Sequence, residues 1–428
     1  MKVYVLLYII VLLNIISISK SETKVEETMD WGKKNKLEIS PLIEISLENG
    51  KKKFIAKENI DEKKEILKIP YTTTFDIEKT IDLLNSKELK SQYELFKKLD
   101  IKTYEPFNVD LQKQEIFLSY LLYLIQNQTD LYKNTKFCEQ YKLHLLSIKE
   151  YLPRSPLFYT PDQIEYLSGT FLGKSLDKVK SLFKDEINVF KNESYFKKDL
   201  DFKDYAHFRL FIENNGLDIF RHISLIPFLN FFERDYMRYN ARFQIEKSGD
   251  IKIFAKKKIN KGEKIIVNSP RRTSVERLIF EGISNSHYVN YRENYIIPAF
   301  SPGLYYKYDI DDLDLYKTHF INLIEREFDS RAVHIYKNYT KLFKGDEGDA
   351  WAYGVLLENI DYYKKYVESL NTTRINNIFE NKDDRTNVER AMKGEFKLLE
   401  KSYLYIQNKF EGLKEKEKEK KNKKSTDL

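Results

Sequence analysis

The segment Ser224–Ile283 decides the fold, because it holds three motifs at a definite spacing. It begins with S-L-I-P-F-L-N-F-F-E-R, an apolar run that contains Pro227 and ends at Arg234. The pair Gly262-Glu263 follows within alternating apolar and polar residues, a pattern that predicts a β-hairpin. The run I-I-V-N-S-P-R-R-T then leads into Ser274–Ile283, S-V-E-R-L-I-F-E-G-I, for which we predict a helix.

Three other segments carry patterned motifs in order along the chain. Phe54–Pro70 reads F-I-A-K-E-N-I-D-E-K-K-E-I-L-K-I-P, and its apolar alternation before a proline favours a strand that stops at a turn. Tyr151–Leu172 reads Y-L-P-R-S-P-L-F-Y-T-P-D-Q-I-E-Y-L-S-G-T-F-L, where Thr160 is a predicted helix N-cap and Pro161 the first helical residue. Arg390–Leu399, R-A-M-K-G-E-F-K-L-L, is a predicted helix with an internal glycine.

In this order the four segments resemble the SET-domain family, in the branch of the RuBisCO large-subunit lysine methyltransferase and the actin-histidine methyltransferase. The resemblance extends over about residues 40–405 and is most specific in Tyr151–Leu172. It implies an α+β fold: a SET-domain β-fold with a helical insertion, followed by an all-helical C-terminal domain like the family's substrate-binding domain. The reaction that it implies is methyl transfer from S-adenosylmethionine (AdoMet) to a protein side chain.

The positions that carry the chemistry in the family are replaced in this chain. The family motif D-x-x-N-H corresponds here to Asn230 at the Asp and to Glu233 and Arg234 at the Asn-His, and Ser269-Pro270 stands at a family Tyr-Gly. The family Asn-His contacts the cofactor, and its Tyr orients the acceptor nitrogen. A Glu-Arg pair is costly to bury there without partners, and a serine has no aryl hydroxyl to replace the tyrosine.

The cofactor-facing positions also differ from the family pattern. The family has G-x-G-x-x-A, in which bare backbone approaches the cofactor, whereas this chain has K-K-K-F-I-A at residues 51–56. Lys52 and Lys53 are therefore altered cofactor positions. Glu213 stands where the family places an Arg beside the cofactor's carboxylate, and a second carboxylate there would repel that group.

These replacements predict a pseudo-methyltransferase, not an enzyme, with no catalytic residue and no bound cofactor. We expect it to be a protein-binding scaffold or adaptor, with protein partners in a groove between the SET-like and C-terminal domains. One alternative is an active protein methyltransferase with a non-standard cofactor pocket, in which Glu233, Arg234 and Ser269 serve in place of the family groups. A purely structural surface protein is a third possibility.

Composition argues against several other classes of function. The 73 basic and 66 acidic residues give a net charge of +7 but are interspersed, which indicates a solvated surface and no nucleic-acid interface. The six histidines and the single Cys138 form no cluster with metal-ligand spacing, so we expect no metal site and no intrachain disulfide. Glycosylation sequons occur at Asn127, Asn192, Asn338 and Asn371, and the sequence leaves their occupancy open.

The N-terminus predicts secretion. Lys2, the apolar stretch Val3–Ile16 and the small residues Ser17 and Ser19 form a signal-peptide pattern with a cut after Ser19. No later stretch is long enough to span a membrane, so we expect a chain that is not membrane-spanning. Heavy use of Lys, Asn, Ile, Phe and Tyr is typical of very AT-rich genomes such as those of malaria parasites. We therefore expect the extracellular space or the lumen of a parasitophorous vacuole, with a role in protein export there.

The motif order divides the chain into five predicted parts. They are a signal peptide at 1–19, a mobile lead-in at 20–38, a SET-like domain at 39–300 with a helical insertion at 81–200, a helical C-terminal domain at 301–410 and a charged tail at 411–428. We predict a buried helix over Glu115–Gln126 and amphipathic helices over Tyr316–Phe328 and Ala350–Leu370. Strands are predicted at residues 242–245, 252–255 and 264–267.

Overall fold

The structure, a computed structural model, describes residues 25–48, 51–99, 101, 109–127, 134–151, 154–194, 196, 199–235, 238–268, 274–283, 295–298, 305–308, 357, 361, 364–370 and 372–426. The chain forms two compact units. One contains residues 1–153 and 183–271, and the other contains residues 154–182 and 272–428. The predicted signal peptide and the predicted helix Tyr316–Phe328 lie outside the described residues.

The strands of the first unit come from two separate parts of the chain. They are β1 (Glu38–Ile39), β2 (Ile43–Glu48), β3 (Lys51–Ala56), β4 (Glu65–Ile69), β5 (Gly216–Ile219), β6 (His222–Leu225), β7 (Glu233–Arg234), β8 (Ala241–Ile245), β9 (Ile251–Ala255) and β10 (Ile266–Val267). One sheet has the order β1-β4-β9-β8-β10-β7, and β2-β3 and β5-β6 are separate hairpins. In the sheet β10 runs parallel to both β8 and β7, while the other pairs are antiparallel.

Alternation of apolar and polar residues explains these strands. In β9, Ile251, Ile253 and Ala255 are buried while the residues between them are half-exposed. The β8–β9 hairpin turns at Gly249 with a φ of +87°, a backbone conformation that other residues rarely adopt. The three strands predicted from the sequence between residues 242 and 267 correspond to β8, β9 and β10, although β10 begins later, at Ile266.

Helices up to residue 215 are α1 (residues 25–34), α2 (Ile77–Leu84), α3 (Lys87–Phe96), α4 (Val109–Asn127), α5 (Lys136–Glu150), α6 (Pro161–Leu167), α7 (Phe171–Asn192) and α8 (Phe202–Asn215). Several begin at a side chain that accepts a backbone N–H: Asp76, Ser86, Thr135 and Asp201. The predicted buried helix is found in α4, whose residues from Ile116 to Ile125 are all buried.

Two groups of buried side chains form the core of the first unit. One lies among the helices and includes Phe96, Phe117 and Phe190. The other lines the sheet and includes Ile66 and Ile253. Helix α8 and β6 supply side chains to the helical cluster, and β5, which lies between them in the chain, supplies Ile219 to the sheet cluster.

Helix α1 lies within the segment that we expected to be a mobile lead-in. Its Trp31 ring stacks on Phe228 with the ring centroids 5.8 Å apart, and the Trp31 indole N–H donates to the Gln140 carbonyl at 2.8 Å. Thr28 on the same helix is 3% exposed. The segment is charged and poor in large apolar residues, so the packing of Val25, Met29 and Trp31 against the sheet cluster was not apparent from composition.

The second unit contains α6, α9 (Ser274–Glu281), β11 (Tyr295–Pro298) paired with β12 (Tyr305–Tyr308), α10 (Thr372–Ile378) and α11 (Lys382–Thr426). The N-cap of α6 is confirmed: Thr160 and Gln163 form a reciprocal capping box, and Pro161 is the first helical residue. Residues 357, 361 and 364–369 are helical and fall within the predicted helix Ala350–Leu370. Among the described residues, no helix has the length and apolar character needed to cross a bilayer.

Candidate active site

The segment at the family motif D-x-x-N-H forms a tight turn followed by a short strand. After β6, the chain passes through Phe228, with a φ of +69°, into a 3-10 turn over Leu229–Phe231. Asn230 lies in this turn, and its Nδ2 donates to Ser147 Oγ at 3.4 Å. Its Oδ1 is buried and accepts no hydrogen bond from the described residues. Leaving a buried acceptor unpaired is costly, so this oxygen suits a donor supplied by a ligand.

Five aromatic rings pack around this turn: Trp31, Phe54, Phe228, Phe231 and Phe232. Phe54 of β3 lies 4.8 Å from Phe232, 5.9 Å from Phe231 and 6.2 Å from Phe228, measured between ring centroids. Phe54 is 1% exposed. Stacked and edge-to-face contacts of this kind hold β3 against the turn, so the side chains of β3 have fixed positions near Asn230.

Strand β3 also carries Lys52 and Lys53, the two lysines that the sequence indicated as altered cofactor positions. Lys52 Nζ donates to Thr28 Oγ1 at 2.8 Å and lies 5.6 Å from the centroid of the Phe231 ring. Both Lys52 and Lys53 are half-buried. Successive residues of a strand point to opposite faces, so the two lysines occupy different surroundings. Lys52 is the one that is placed beside the turn of Asn230.

Glu233 and Arg234 form β7, which pairs with β10 at the end of the sheet. The Glu233 carboxylate lies 3.4 Å from Lys264 Nζ, and that ammonium also lies 2.6 Å from the Glu48 carboxylate. Hydrogen bonding to Glu48 raises the pKa of Lys264, so the ammonium keeps its charge. Arg234 is half-buried. The ammonium of Lys264 offsets part of the free-energy cost of burying the Glu233 carboxylate, a cost that we expected from the sequence.

Glu213 belongs to a buried ionic cluster that spans three helices. Arg209 on α8 lies 3.2 Å from Glu213 on the same helix, 3.0 Å from Glu115 on α4 and 3.5 Å from Glu186 on α7, measured between guanidinium nitrogens and carboxylate oxygens. The Tyr205 hydroxyl donates to Glu186 at 2.8 Å. Glu213 thus faces a guanidinium within the protein, at the position where the family pattern itself has an arginine.

Burial shifts the acidity of this cluster. It raises the pKa of Glu115 to about 7, although the attraction of Arg209 acts in the opposite direction. Burial also raises the pKa of Glu186. For Arg209, burial disfavours the charge, but the three carboxylates outweigh burial and raise its pKa. The guanidinium is therefore permanently charged, and any proton exchange in the cluster occurs on the carboxylates.

His144 is a second buried polar group close to Asn230. It lies one helical turn before Ser147 on α5, and its carbonyl accepts from Ser147 Oγ at 2.8 Å. The ring packs against Phe75 and Phe211 with centroid distances of 5.5 and 6.3 Å. Burial lowers the pKa of His144 to about 3, so the imidazole is neutral. Its Nε2 has no hydrogen-bond partner among the described residues.

The Gly262-Glu263 turn is not the tip of a β-hairpin, as the sequence pattern predicted, because it joins β9 to β10, which are not neighbours in the sheet. Its backbone bonds instead to the end of β3. Gly262 has a φ of +81° and donates its N–H to the Ala56 carbonyl at 2.7 Å, and the Ala56 N–H donates to the Glu263 carbonyl at 2.8 Å. The Glu263 carboxylate accepts from the Asn260 N–H at 2.7 Å. The turn therefore fixes the end of β3, the strand of Lys52.

The candidate residues from the sequence occupy three different surroundings. Asn230 directly precedes Phe231, whose ring centroid lies 5.6 Å from Lys52 Nζ. Glu233 and Arg234 lie at the edge of the sheet, and Glu213 lies in the ionic cluster. Ser269 and Pro270 lie outside the described residues.

Sequence reasoning missed several buried polar residues of the first unit. His144 and Ser147 are three residues apart on α5, and Arg209 lies four residues before the predicted Glu213 on α8. Polar residues at helical spacing on otherwise buried faces were the available signal. Within the described ranges, no group of three or more His, Cys, Asp or Glu side chains could hold a metal ion.

Comparison with solved structures gives matches over nearly the whole chain. The SET domain of LSMT bound to lysine and AdoHcy has a TM-score of 0.59 at 11% sequence identity, and the match covers 92% of each chain. Rubisco LSMT bound to AdoMet has a TM-score of 0.59 at 12% identity, covering 91% of this chain and 93% of that one. The chain has the SET-domain fold. Rubisco LSMT bound to sinefungin and monomethyllysine matches the same SET fold with a TM-score of 0.57 at 12% identity.

The α+β class and the SET fold expected from the sequence are thus confirmed. No protein-family model matches the chain. No curated protein matches it either. At 11–12% identity the likeness shows the fold, while the side chains of the site are this chain's own.

One expectation needs correction. The replaced site residues led us to predict a pseudo-methyltransferase that is not an enzyme, but the matched structures are of LSMT holding AdoMet or AdoHcy, and they point to an enzyme. The prediction failed because it counted the replaced residues and took no account of the groups that accompany them. Glu233 has a cation beside it, Glu213 has Arg209, and Asn230 retains a buried acceptor.

Proposed function

We propose that this chain is a SET-fold methyltransferase that acts on a protein side chain and holds its cofactor in a non-standard pocket. The observation that carries the proposal is the match over 91–92% of the chain to structures of LSMT bound to AdoMet, AdoHcy and lysine. The rest of the support comes from the residues around Asn230, which differ from the family pattern but offer polar groups of suitable chemistry.

Two side chains fit the cofactor chemically. AdoMet carries hydroxyl and amino donors, an ammonium and a carboxylate, and when bound it supplies a methyl group activated by its sulfonium. The buried Asn230 Oδ1, which accepts nothing from the described residues, would accept a hydrogen bond from one of the donors. Lys52, an ammonium held beside the same turn by Thr28, would pair with the carboxylate. A lysine on β3 would then take the role of the family arginine.

The surroundings of Glu213 agree with the assignment of the cationic role to Lys52 instead of to the family's arginine position. A free carboxylate at the family's arginine position would repel the carboxylate of AdoMet. Arg209, 3.2 Å away, instead pairs with Glu213 inside the protein, as it also does with Glu115 and Glu186. The repulsion expected from the sequence is thereby reduced, and the cationic role falls to Lys52.

The acceptor in this proposal is an amine of a polypeptide, because the matched structures of LSMT contain lysine or monomethyllysine. The protein partner that we expected as a scaffold ligand becomes the substrate. Its binding in a groove between the SET-like and C-terminal domains remains a prediction from the sequence resemblance.

Secretion is a separate part of the proposal, supported by the signal-peptide pattern of residues 1–19. A methyltransferase in the secretory pathway, the extracellular space or a vacuole lumen requires AdoMet there. A fusion of residues 1–30 to a fluorescent protein would report the location: secretion supports it, and retention in the cytosol contradicts it.

The transfer of tritium from methyl-labelled AdoMet to proteins of a cell extract tests the activity. We expect labelling by the purified wild-type protein and its loss in Asn230→Leu. Asn408→Leu is the control, because Asn408 is exposed on α11. Absence of labelling by correctly folded wild-type protein, across extracts from several sources, contradicts the proposal.

A further inference from the structure

The buried ionic cluster of the first unit contains more negative than positive groups. Glu115 on α4, Glu186 on α7 and Glu213 on α8 surround a single guanidinium, Arg209, at 3.0, 3.5 and 3.2 Å. Arg209 and Glu186 are almost fully buried, with side chains 7% and 2% exposed. Tyr205 adds a hydroxyl that donates to Glu186. Among the described residues, these five are joined to one another by ion pairs and a hydrogen bond across the three helices.

Among the described residues, the buried carboxylates of Glu115 and Glu186 outnumber the cation beside them. With both carboxylates ionised, two negative charges face the single guanidinium of Arg209, which Glu213 also shares. An uncompensated charge in a protein interior costs several kcal/mol, and a carboxyl group avoids that cost by taking up a proton. Since the arginine is always charged, only the carboxylates can make this adjustment.

We propose that the cluster Glu115–Glu186–Arg209–Glu213 is a proton-binding switch that tightens the packing of α4, α7 and α8 when it is protonated and loosens it when the proton leaves. The switch acts on α8, the helix that runs directly into β5 and carries Glu213. It concerns the stability of the first unit and holds whether or not the chain transfers methyl groups.

The direction of the pH dependence follows from the raised pKa values of the Glu115 and Glu186 carboxyl groups. Burial raises the pKa of Glu115 from its ordinary 4.5 to about 7, and it raises that of Glu186 as well. Between pH 4.5 and about 7, the folded state therefore keeps a proton on Glu115 that the unfolded chain has already released. The stabilisation is fully present below pH 4.5 and is lost as the pH rises through about 7. For one proton, the folding equilibrium constant falls by at most about tenfold per pH unit.

Two buried histidines act in the opposite direction at lower pH. Burial lowers the pKa of His144 to about 3 and also lowers that of His207, so both favour the folded state less as the pH falls below 6.5. The contribution of the cluster is therefore clearest as a difference between wild type and a variant, measured between pH 6.5 and 8.

Urea unfolding of the full chain at a series of pH values tests the switch. We expect the folding equilibrium constant of wild type to fall between pH 6.5 and 8, and Glu115→Gln to be flatter by several-fold over this range. Glu94→Gln is the matched control, because Glu94 pairs with Lys97 at 2.6 Å with both side chains exposed, 56% and 42%. Wild-type slopes in both variants would overturn the proposal.

Hydrogen exchange of wild type provides a second measurement if Glu115→Gln does not fold. After correction for intrinsic exchange rates, we expect the amides of residues 109–127 and 202–215 to lose protection between pH 6.5 and 8. Those of α2 should change less. Uniform protection of all these helices across the pH range overturns the proposal.

Discussion

The guanidinium of Arg209 lies 3.0 Å from the carboxylate of Glu115, and the Arg209 side chain is only 7% exposed. This pair joins α4 to α8, two helices of the same buried core. Removing one partner of a buried ionic group is strongly destabilising, because the remaining charge stays in the interior without compensation.

Arg209→Met should therefore lower the free energy of unfolding by roughly 3–5 kcal/mol. The methionine keeps much of the arginine volume, so the loss reports on charge more than on packing. Urea denaturation monitored by circular dichroism measures it. Arg242→Met, at an exposed position on β8, is the control and should change stability by less than about 0.5 kcal/mol. Equal effects of the two substitutions would mean that the cluster contributes little.

His144 should make the protein sensitive to acid. Because burial lowers the pKa of His144 to about 3, the unfolded chain binds a proton on this residue that the folded chain does not. The free energy of unfolding should fall as the pH drops from about 6.5 towards 3, and His144→Phe should reduce this fall. Thermal unfolding between pH 7 and 4 measures it. His222→Phe, at a half-buried position on β6, is the control, and a wild-type acid profile in His144→Phe would contradict the assignment.

Gly282 and Gly262 allow conformational strain to be separated from steric overlap. Both have a positive φ, +71° and +81°. A Cβ on Gly282 would lie 2.6 Å from the backbone nitrogen of Arg154, whereas a Cβ on Gly262 would meet nothing within 4 Å.

Gly262→Ala should then cost roughly 1–2 kcal/mol for the left-handed backbone alone. Gly282→Ala should cost more, because the Arg154 backbone must also move. Differential scanning calorimetry of the two variants gives the comparison. A smaller effect at Gly282 than at Gly262 would show that α9 does not end against Arg154 as described.

Thr160→Ala should lower stability by about 1 kcal/mol, because Thr160 Oγ1 accepts from the Gln163 N–H in the capping box of α6. Thr160→Ser keeps the oxygen and should retain most of the stability. The melting temperatures of the two variants decide this, and equal losses in both would exclude the cap as the cause.

Local chemistry made much of the fold predictable from the sequence. The capping box at Thr160, the buried helix α4 and the strands β8 and β9 follow from spacing within short windows. Helix α1 was not predicted, because a few apolar side chains anchor a charged segment to distant parts of the chain, as Trp31 does to Phe228, about 200 residues away. A contact over that distance leaves no local pattern.

The sequence motifs named candidate site residues but gave no account of the side chains that surround them in the fold. The motifs located Asn230, Lys52 and Glu213 and revealed that each replaces a family residue. They did not reveal that Glu213 shares Arg209 with Glu115 and Glu186, or that Asn230 keeps a buried acceptor. Those facts depend on which side chains meet in space, and overlooking them led to the mistaken prediction of a protein without enzymatic activity.

Isothermal titration calorimetry with AdoMet tests the central claim most directly. We expect saturable binding to the full chain with a Kd below about 0.1 mM, equivalent to roughly 5–6 kcal/mol. Lys52→Met and Asn230→Leu should each weaken binding about tenfold or more, while Lys57→Met, at an exposed position just after β3, should bind like wild type. Absence of saturable heat up to about 1 mM AdoMet, with wild-type protein that is folded by circular dichroism, would contradict a cofactor pocket around Asn230 and Lys52.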